Sequence, residues 1–257
     1  MKQVRTHARQ SPLHFRRVEI KYRIPNRIVP LLIDRLSPYT QVDPFLANGE
    51  RQKTSYPVTS LYFDSFDFHA VHEKDAGLLA RRKVRLRTYE FEFSEQKPCF
   101  LEIKRRHDAI VSKDRLSLSV GHLHSTLSMH DLLDHVLSRV EAAEDVSAEA
   151  HLLRGWYNLQ PTAIVQYRRI PFVGKQDSRF RITIDTDLKG MWMPPVLMGP
   201  IPLSSCLPGW SILELKFNHA IPAWFHDVVQ EMELSRVSNS KYAMVVCALQ
   251  PKVRVEW

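Results

Sequence analysis

Glutamate and lysine stand two residues apart in three segments that alternate charged and apolar residues, at Glu19 and Lys21, Glu102 and Lys104, and Glu214 and Lys216. Residues two apart in an extended strand share a face, so each motif sets a carboxylate beside an ammonium on one surface. Cations repeat the same spacing at Lys83, Arg85 and Arg87, and again at Lys113 and Arg115. Guanidinium groups grip phosphate oxygens two at a time, and carboxylates hold Mg²⁺ or Mn²⁺ that bridges those oxygens. Such a set suits a polyanion and its divalent cation. Other chemistries lack their residues. Neither G-x-x-x-x-G-K-[ST] nor G-x-G-x-x-G occurs, which removes the P-loop and Rossmann readings. Cys99, Cys206 and Cys247 are too few and too scattered for a disulfide framework or a Cys-rich zinc site, and fit a reducing compartment. His122, His124, His130 and His135 fall on mixed faces of one predicted helix and read as solvated or structural histidines.

The segments carrying these residues alternate charged and apolar positions. The pattern predicts strands over 17–24, 83–89, 100–105, 113–120, 181–185 and 212–217. Any one of them alone reads as a half-exposed antiparallel strand with a solvated charged face. Apolar stripes at helical spacing predict helices over 26–36, 122–140, 147–155 and 223–234, with Gly155 as a C-cap. Helices covering the apolar faces from outside would leave the charged faces to close on each other. The predicted fold is therefore α+β, an antiparallel β-barrel with a charged lumen and helices packed on its outside. Tyr22, Tyr62 and Tyr89 are expected as wall or core aromatics, and Asp64 and Asp67 as caps of the helix that follows them. The competing reading of the cations is an internal lattice of ion pairs with Glu19, Glu102, Glu214 and Asp185.

Composition agrees with a folded, anion-binding chain. With 257 residues, 44% hydrophobic and 25% charged, and only 8 glycines against 16 prolines, disorder, collagen and a small stapled scaffold are excluded. Lys and Arg number 36 against 28 Asp and Glu, a formal net charge of +8 that favours an anionic partner. Nucleic acid is usually met by an exposed basic face interleaved with aromatics, so no specific nucleic acid is expected. The basic opening MKQVRTHARQSPLHFRR is not followed by the apolar stretch of a secretory signal, and no run approaches the ~18 apolar residues of a membrane span. A soluble, cytoplasmic protein is expected.

RRVEIKYRI, YPVTSLYFDSFDF, KVRLRTYEF, FLEIKRR, SKDRLSL, QYRRIPF, FRITIDTDL, ILELKF and SNSKYAMVV follow one another along the chain. In this series the sequence resembles the VTC domain, the polyphosphate polymerase domain of vacuolar transporter chaperone complexes, within the CYTH or triphosphate tunnel metalloenzyme superfamily. The resemblance runs from about residue 15 to 246 and implies one tunnel domain over 15–257 after a basic extension, 1–14. It implies catalytic roles for Lys21, Arg85, Arg87, Lys104, Arg168 and Arg181, and phosphate binding by Lys113, Lys216, Ser240 and Lys241. It also implies Glu214 as a ligand of Mn²⁺ or Mg²⁺, with Glu19 and Glu102 as further candidates. The activity implied is transfer of the γ-phosphate of ATP to a growing inorganic polyphosphate chain. Hydrolysis of inorganic, nucleoside or thiamine triphosphate in the same tunnel is one alternative, and non-catalytic binding of polyphosphate or nucleotide is another. Eukaryotic members add an inositol-phosphate sensor domain and a membrane anchor. Neither is recognisable here, from which a domain releasing its product into the cytosol is expected.

Overall fold

The computed structural model describes residues 18–46, 54–73, 76, 78–107, 110–118, 122–140, 145–218, 220–238 and 240–253. The extension 1–14, Arg17 in the first predicted strand and residues 119–120 in the fourth lie outside the described residues. Each predicted strand is present: β1 (Val18–Pro25), β4 (Ala80–Thr88), β5 (Cys99–His107), β6 (Ile110–Leu118), β8 (Arg181–Trp192) and β10 (Trp210–Phe217). Between them run β2 (Thr40–Val42), β3 (Tyr56–Asp64), the long β7 (Gln160–Gly174), and the short β9 (Ser204–Ser205) and β11 (Arg236–Val237). The helices are α1 (Val29–Leu36), α2 (His69–His72), α3 (Leu132–Ser138), α4 (Asp145–Tyr157), α5 (Ala223–Glu231) and α6 (Lys241–Leu249). The result is an antiparallel, sheet-rich α+β fold. Pairing runs β7, β3, β4, β5, β6, β1, β10, β8, and β8 pairs back onto β7. Among the described residues the pairing of β6 with β1 is a single opposition, Val18 to Ile110.

Alternation along the strands decides what lies on each side. Val84, Leu86, Leu101 and Ile103 bury their side chains against Leu132, Leu133 and Val136 of α3 and Ala150 and Leu153 of α4. Ile20, Ile24, Ile182, Ile184, Leu213 and Leu215 do the same against Leu32 and Leu36 of α1 and Phe225 and Val228 of α5. Fully burying a side chain of this size stabilises the fold by about 1.5–3 kcal/mol, which fixes the register, because a one-residue slip would turn the charged face into these layers.

Helix α6 is placed differently and was not predicted. Tyr242 to Val246 are all buried, so the segment is apolar all round and carries no amphipathic period to reveal it. It packs on β7 and β8 from the side bearing the charged residues, and Tyr242 stacks on Tyr62 of β3 with ring centroids 4.6 Å apart. Gly190 permits this approach, since a Cβ there would lie 2.3 Å from Val245 Cγ1. Asp64 caps α2 as expected, its Oδ1 accepting the Ala70 N–H at 2.8 Å, while its Oδ2 accepts the Tyr242 hydroxyl at 2.7 Å.

All four predicted helices differ in their bounds: α1 begins at Val29 after a 3-10 turn over Asn26–Ile28, α5 ends at Glu231, and α3 and α4 differ for local reasons. Over 122–131 the chain turns without forming a helix, although Leu123 and Leu127 still reach the core. The intervening Ser, Thr and His residues favour local hydrogen bonds over helical ones. Gly155 lies inside α4, and Asn158, at φ 46°, supplies the left-handed residue just beyond the helix end. Among the described residues no helix is long and apolar enough to cross a membrane.

Candidate active site

The charged faces of β1, β4, β5, β6, β8 and β10, with β3, β7 and α6, surround a cavity of about 520 Å³. Among the described residues its lining carries thirteen cations: Lys21, Arg81, Lys83, Arg85, Arg87, Lys104, Arg106, Lys113, Arg169, Arg181, Lys216, Arg236 and Lys241. Three carboxylates, Glu19, Asp43 and Glu214, face them. Of the residues predicted for a site, Lys21, Arg85, Arg87, Lys104, Lys113, Arg181, Lys216, Ser240, Lys241, Glu19 and Glu214 are brought together here. Glu102 and Arg168 are not part of the lining.

Register explains the local chemistry. The E-x-K motifs of β1 and β10 run antiparallel, so Glu19 opposes Lys216 and Lys21 opposes Glu214. Lys21 Nζ lies 3.0 Å from Glu19 Oε1 and 4.0 Å from Glu214 Oε2, and Lys216 lies 2.5 Å from Glu214. Lys104 reaches across from β5 to Glu19 at 3.1 Å. Burial and the neighbouring Glu214 push the Glu19 carboxyl up, but Lys104, Lys21 and Lys216 outweigh them and hold it well below the usual carboxylate range.

Glu102 sits behind this surface, completely buried. Its Oε2 accepts Arg85 Nε and Nη2 at 2.9 and 2.8 Å and lies 3.6 Å from Arg87 Nη1, and its Oε1 accepts Lys113 Nζ at 2.9 Å. A carboxylate so engaged orients three cations, and it lies completely buried outside the cavity lining. Asp185 plays the corresponding part on the opposite wall, taking Arg169 through two hydrogen bonds of 2.7 and 2.8 Å and Lys241 at 2.6 Å. Glu19, Glu102, Glu214 and Asp185 are thus shared by eight cations, so the ion-pair lattice exists and still leaves positive charge in excess.

Arg168 was expected in the site and its neighbour occupies the place instead. Between Gln166 and Arg168 the pairing of β7 with β8 shifts register. Tyr167 and Arg169 share the cavity side, whereas Arg168 is exposed and lies 4.8 Å over the Phe91 ring. Period-two counting from Tyr167 in QYRRIPF would have selected Arg169. Arg81, Arg106 and Arg236 were likewise not singled out, and Lys83, which shares the spacing of Arg85 and Arg87, was given no role in the site. Tyr62 is a wall aromatic as expected, and its hydroxyl accepts Arg85 Nη1 at 2.7 Å. Burial would raise that phenol, yet Arg85 and Arg87 bring it down to about 8.

Glu19 and Glu214 flank Lys21 on the cavity wall, and among the described residues no three His, Cys, Asp or Glu side chains cluster as a complete metal site. Two carboxylates completed by substrate phosphates and water form the usual setting for Mg²⁺ or Mn²⁺. These two therefore fit a divalent cation, and the triply paired Glu102 does not.

Burial pushes the ammonium groups of Lys104 and Lys113 down to about 8, against the pull of Glu19 on the first and Glu102 on the second. Both lose charge as the pH rises through that value, and a bound polyanion restores it. Triphosphate binding should therefore take up protons, roughly one per site, at about pH 8.5 and very few near pH 6.5, with affinity falling above about pH 8. Calorimetry in buffers of different ionisation heat measures this directly. Absence of buffer dependence at the higher pH would mean that both lysines stay charged without ligand.

A family model described as the VTC domain matches residues 16–250. Vacuolar transporter chaperone complex subunit 4 of Trypanosoma cruzi is 24% identical over 277 residues, covering 91% of this chain and 34% of that protein. Its counterpart in Trypanosoma brucei brucei is 26% identical over 281 residues, with the same coverages of 91% and 34%. The chain thus spans about a third of the length of these curated relatives. Among solved structures, that of a candidate adenylate cyclase from Bacillus halodurans aligns with a TM-score of 0.48 at 14% identity, over 87% of this chain and 92% of that one. With the family's pattern matched over 16–250, nearly the whole length and the entire cavity lining, the chain belongs to the VTC domain family.

Proposed function

We propose that the ring of strands is a closed β-barrel whose lumen is the charged cavity, and that the chain there transfers the γ-phosphoryl group of ATP to the end of an inorganic polyphosphate. The observation that carries this reading is the convergence of thirteen cations on one cavity, more than its carboxylates can neutralise. The bond between the β- and γ-phosphates breaks, a bond to a terminal phosphate oxygen of the chain forms, and ADP leaves. The acceptor is already an anion and needs no general base, in keeping with a lining that among the described residues contains no His or Cys. Such a transfer asks the protein mainly for positioning and neutralisation.

The side chains divide that work. Arg85 and Arg87, oriented by Glu102, and Arg169 and Lys241, oriented by Asp185, present fixed donors from opposite walls. Lys21, Lys104 and Lys216 trade their contacts with Glu19 and Glu214 for phosphate oxygens. Arg181, Lys113 and Ser240 extend the phosphate-binding surface. Mg²⁺ or Mn²⁺ held by Glu214 and Glu19 would neutralise charge on the same phosphates. The reaction is read as cytoplasmic.

Incubating the purified chain with ATP and Mn²⁺ or Mg²⁺, then resolving products by length on a gel, tests the reading. Growing chains support it. Free phosphate alone assigns a triphosphatase, and tight binding without turnover assigns a binding module. Glu214→Gln keeps the shape and removes one carboxylate charge, and is expected to lower metal-dependent turnover at least ~10-fold while raising the Mn²⁺ concentration required. Full turnover at an unchanged Mn²⁺ requirement would take the metal away from Glu214.

A further inference from the structure

Asp64 is the last residue of β3, is buried, and lies outside the cavity lining. Its carboxylate joins two elements. Oδ1 accepts the backbone N–H groups of Ser65 and Ala70 at 2.9 and 2.8 Å, in the turn that leads into α2, and Oδ2 accepts the Tyr242 hydroxyl of α6 at 2.7 Å. Burial and the facing carboxylate push that phenol well above the usual tyrosine range, so it stays a donor. Tyr242 is completely buried and is also outside the lining, but it directly follows Lys241, whose ammonium lies 2.6 Å from Asp185 and 3.9 Å from Glu214 on the cavity wall. Lys83 closes the group, donating to the Ala70 carbonyl with its Nζ 5.5 Å from the centre of the Tyr242 ring.

We infer that Asp64 is a positioning residue: through the Tyr242 hydroxyl it fixes the first turn of α6, and so holds Lys241 at its place on the cavity wall. Residues Tyr242 to Val246 are all buried, and apolar packing is non-directional. It keeps α6 against β7 and β8 without fixing the rotation or slide of the helix. A hydrogen bond between two buried groups has a preferred length and angle, and supplies what the packing lacks. The anchor is itself fixed, because its other oxygen is tied to the backbone of the turn into α2. Displacing a group by about 1 Å from its working position costs a transfer reaction up to ~100-fold, so a carboxylate remote from the phosphates controls the rate through the placement of one ammonium. The inference rests on the proposed phosphoryl transfer and adds to it a residue that touches no phosphate.

Tyr242→Phe removes the hydroxyl and keeps the ring with its stack on Tyr62. Turnover of ATP with Mn²⁺ is compared in the parent chain, Tyr242→Phe, Lys241→Met and the double variant, well below the melting temperature of each. Tyr242→Phe is expected to lower kcat at least ~10-fold with KM within ~2-fold, and to add less than ~2-fold to the loss in Lys241→Met, because both act through the same ammonium. Losses that multiply in the double variant would make Tyr242 a purely structural residue and overturn the inference, as would full turnover in Tyr242→Phe. Asp64→Asn keeps an oxygen for the Ala70 N–H and offers its amide to the phenol oxygen, so it should lose less than Tyr242→Phe. A larger loss would assign the effect to the charge of Asp64 and overturn the anchor. Acylation of lysines with sulfosuccinimidyl acetate, read by mass spectrometry against the exposed Lys252, needs no turnover. Lys241, its side chain 10% exposed, should react slowly in the parent chain and several-fold faster in Tyr242→Phe. An unchanged ratio would overturn the inference, whereas a parent chain without turnover would overturn the proposed function and leave the ratio to decide the anchor.

Discussion

Arg85→Met is expected to melt well below the parent chain, and adding Glu102→Gln to it is expected to return a large part of the loss. Arg85 makes two hydrogen bonds to Glu102 in a setting where the carboxylate is completely buried. Removing one partner of a buried ion pair costs about 3–5 kcal/mol, because the remaining charge is left without compensation. Lys113 at 2.9 Å and Arg87 at 3.6 Å still reach Glu102, which places the cost near the lower end. At about 3 kcal/mol the melting temperature of a chain this long falls by roughly 6–12 °C. Methionine keeps most of the volume, so a cavity contributes little. In the double variant the buried negative charge is gone as well, and a double-mutant cycle should give a coupling above ~1 kcal/mol. Additive losses would mean that Glu102 does not depend on Arg85. The result also separates the cations held by the buried Glu102 from those paired with Glu19 and Glu214 at the cavity surface.

That separation could not be read from the sequence, and the reason lies in pairing. Glu19, Glu102 and Glu214 stand in the same E-x-K spacing. What distinguishes Glu102 is its opposition to Arg85 on one side and Arg115 on the other, whereas Glu19 and Glu214 oppose lysines across β1 and β10. Cross-strand partners come from topology, and local alternation does not specify them. The alternation did specify the six charged strands, because burying one face against α1, α3, α4 and α5 leaves a period of two in each. It did not reach α6, which is buried from Tyr242 to Val246 and carries no period at all, and it was not what selected Arg168, which came from the family resemblance where counting from Tyr167 points to Arg169.

The phase of β7 carries the second large effect. Arg169→Ala is expected to lower turnover, or triphosphate affinity if the chain only binds, by at least ~100-fold, about 2.7 kcal/mol, while Arg168→Ala stays within ~2-fold. Arg169 is held by Asp185 through two hydrogen bonds, and the same carboxylate holds Lys241, which also lies 3.9 Å from Glu214. Without Arg169, Asp185 keeps only Lys241, drawing that ammonium away from any phosphate. One substitution thus withdraws two cations from the wall opposite Arg85. Stability should fall as well, because Arg169 makes two hydrogen bonds to the buried Asp185, although Lys241 still compensates that carboxylate. Arg169→Lys restores charge without the planar fork and should regain no more than ~10-fold of the loss. Arg168 lies exposed over Phe91, outside the lining, so its removal changes only surface charge. Steady-state kinetics on the three variants decide the matter. Comparable losses for Arg168→Ala and Arg169→Ala would show that β7 turns its other face to the substrate.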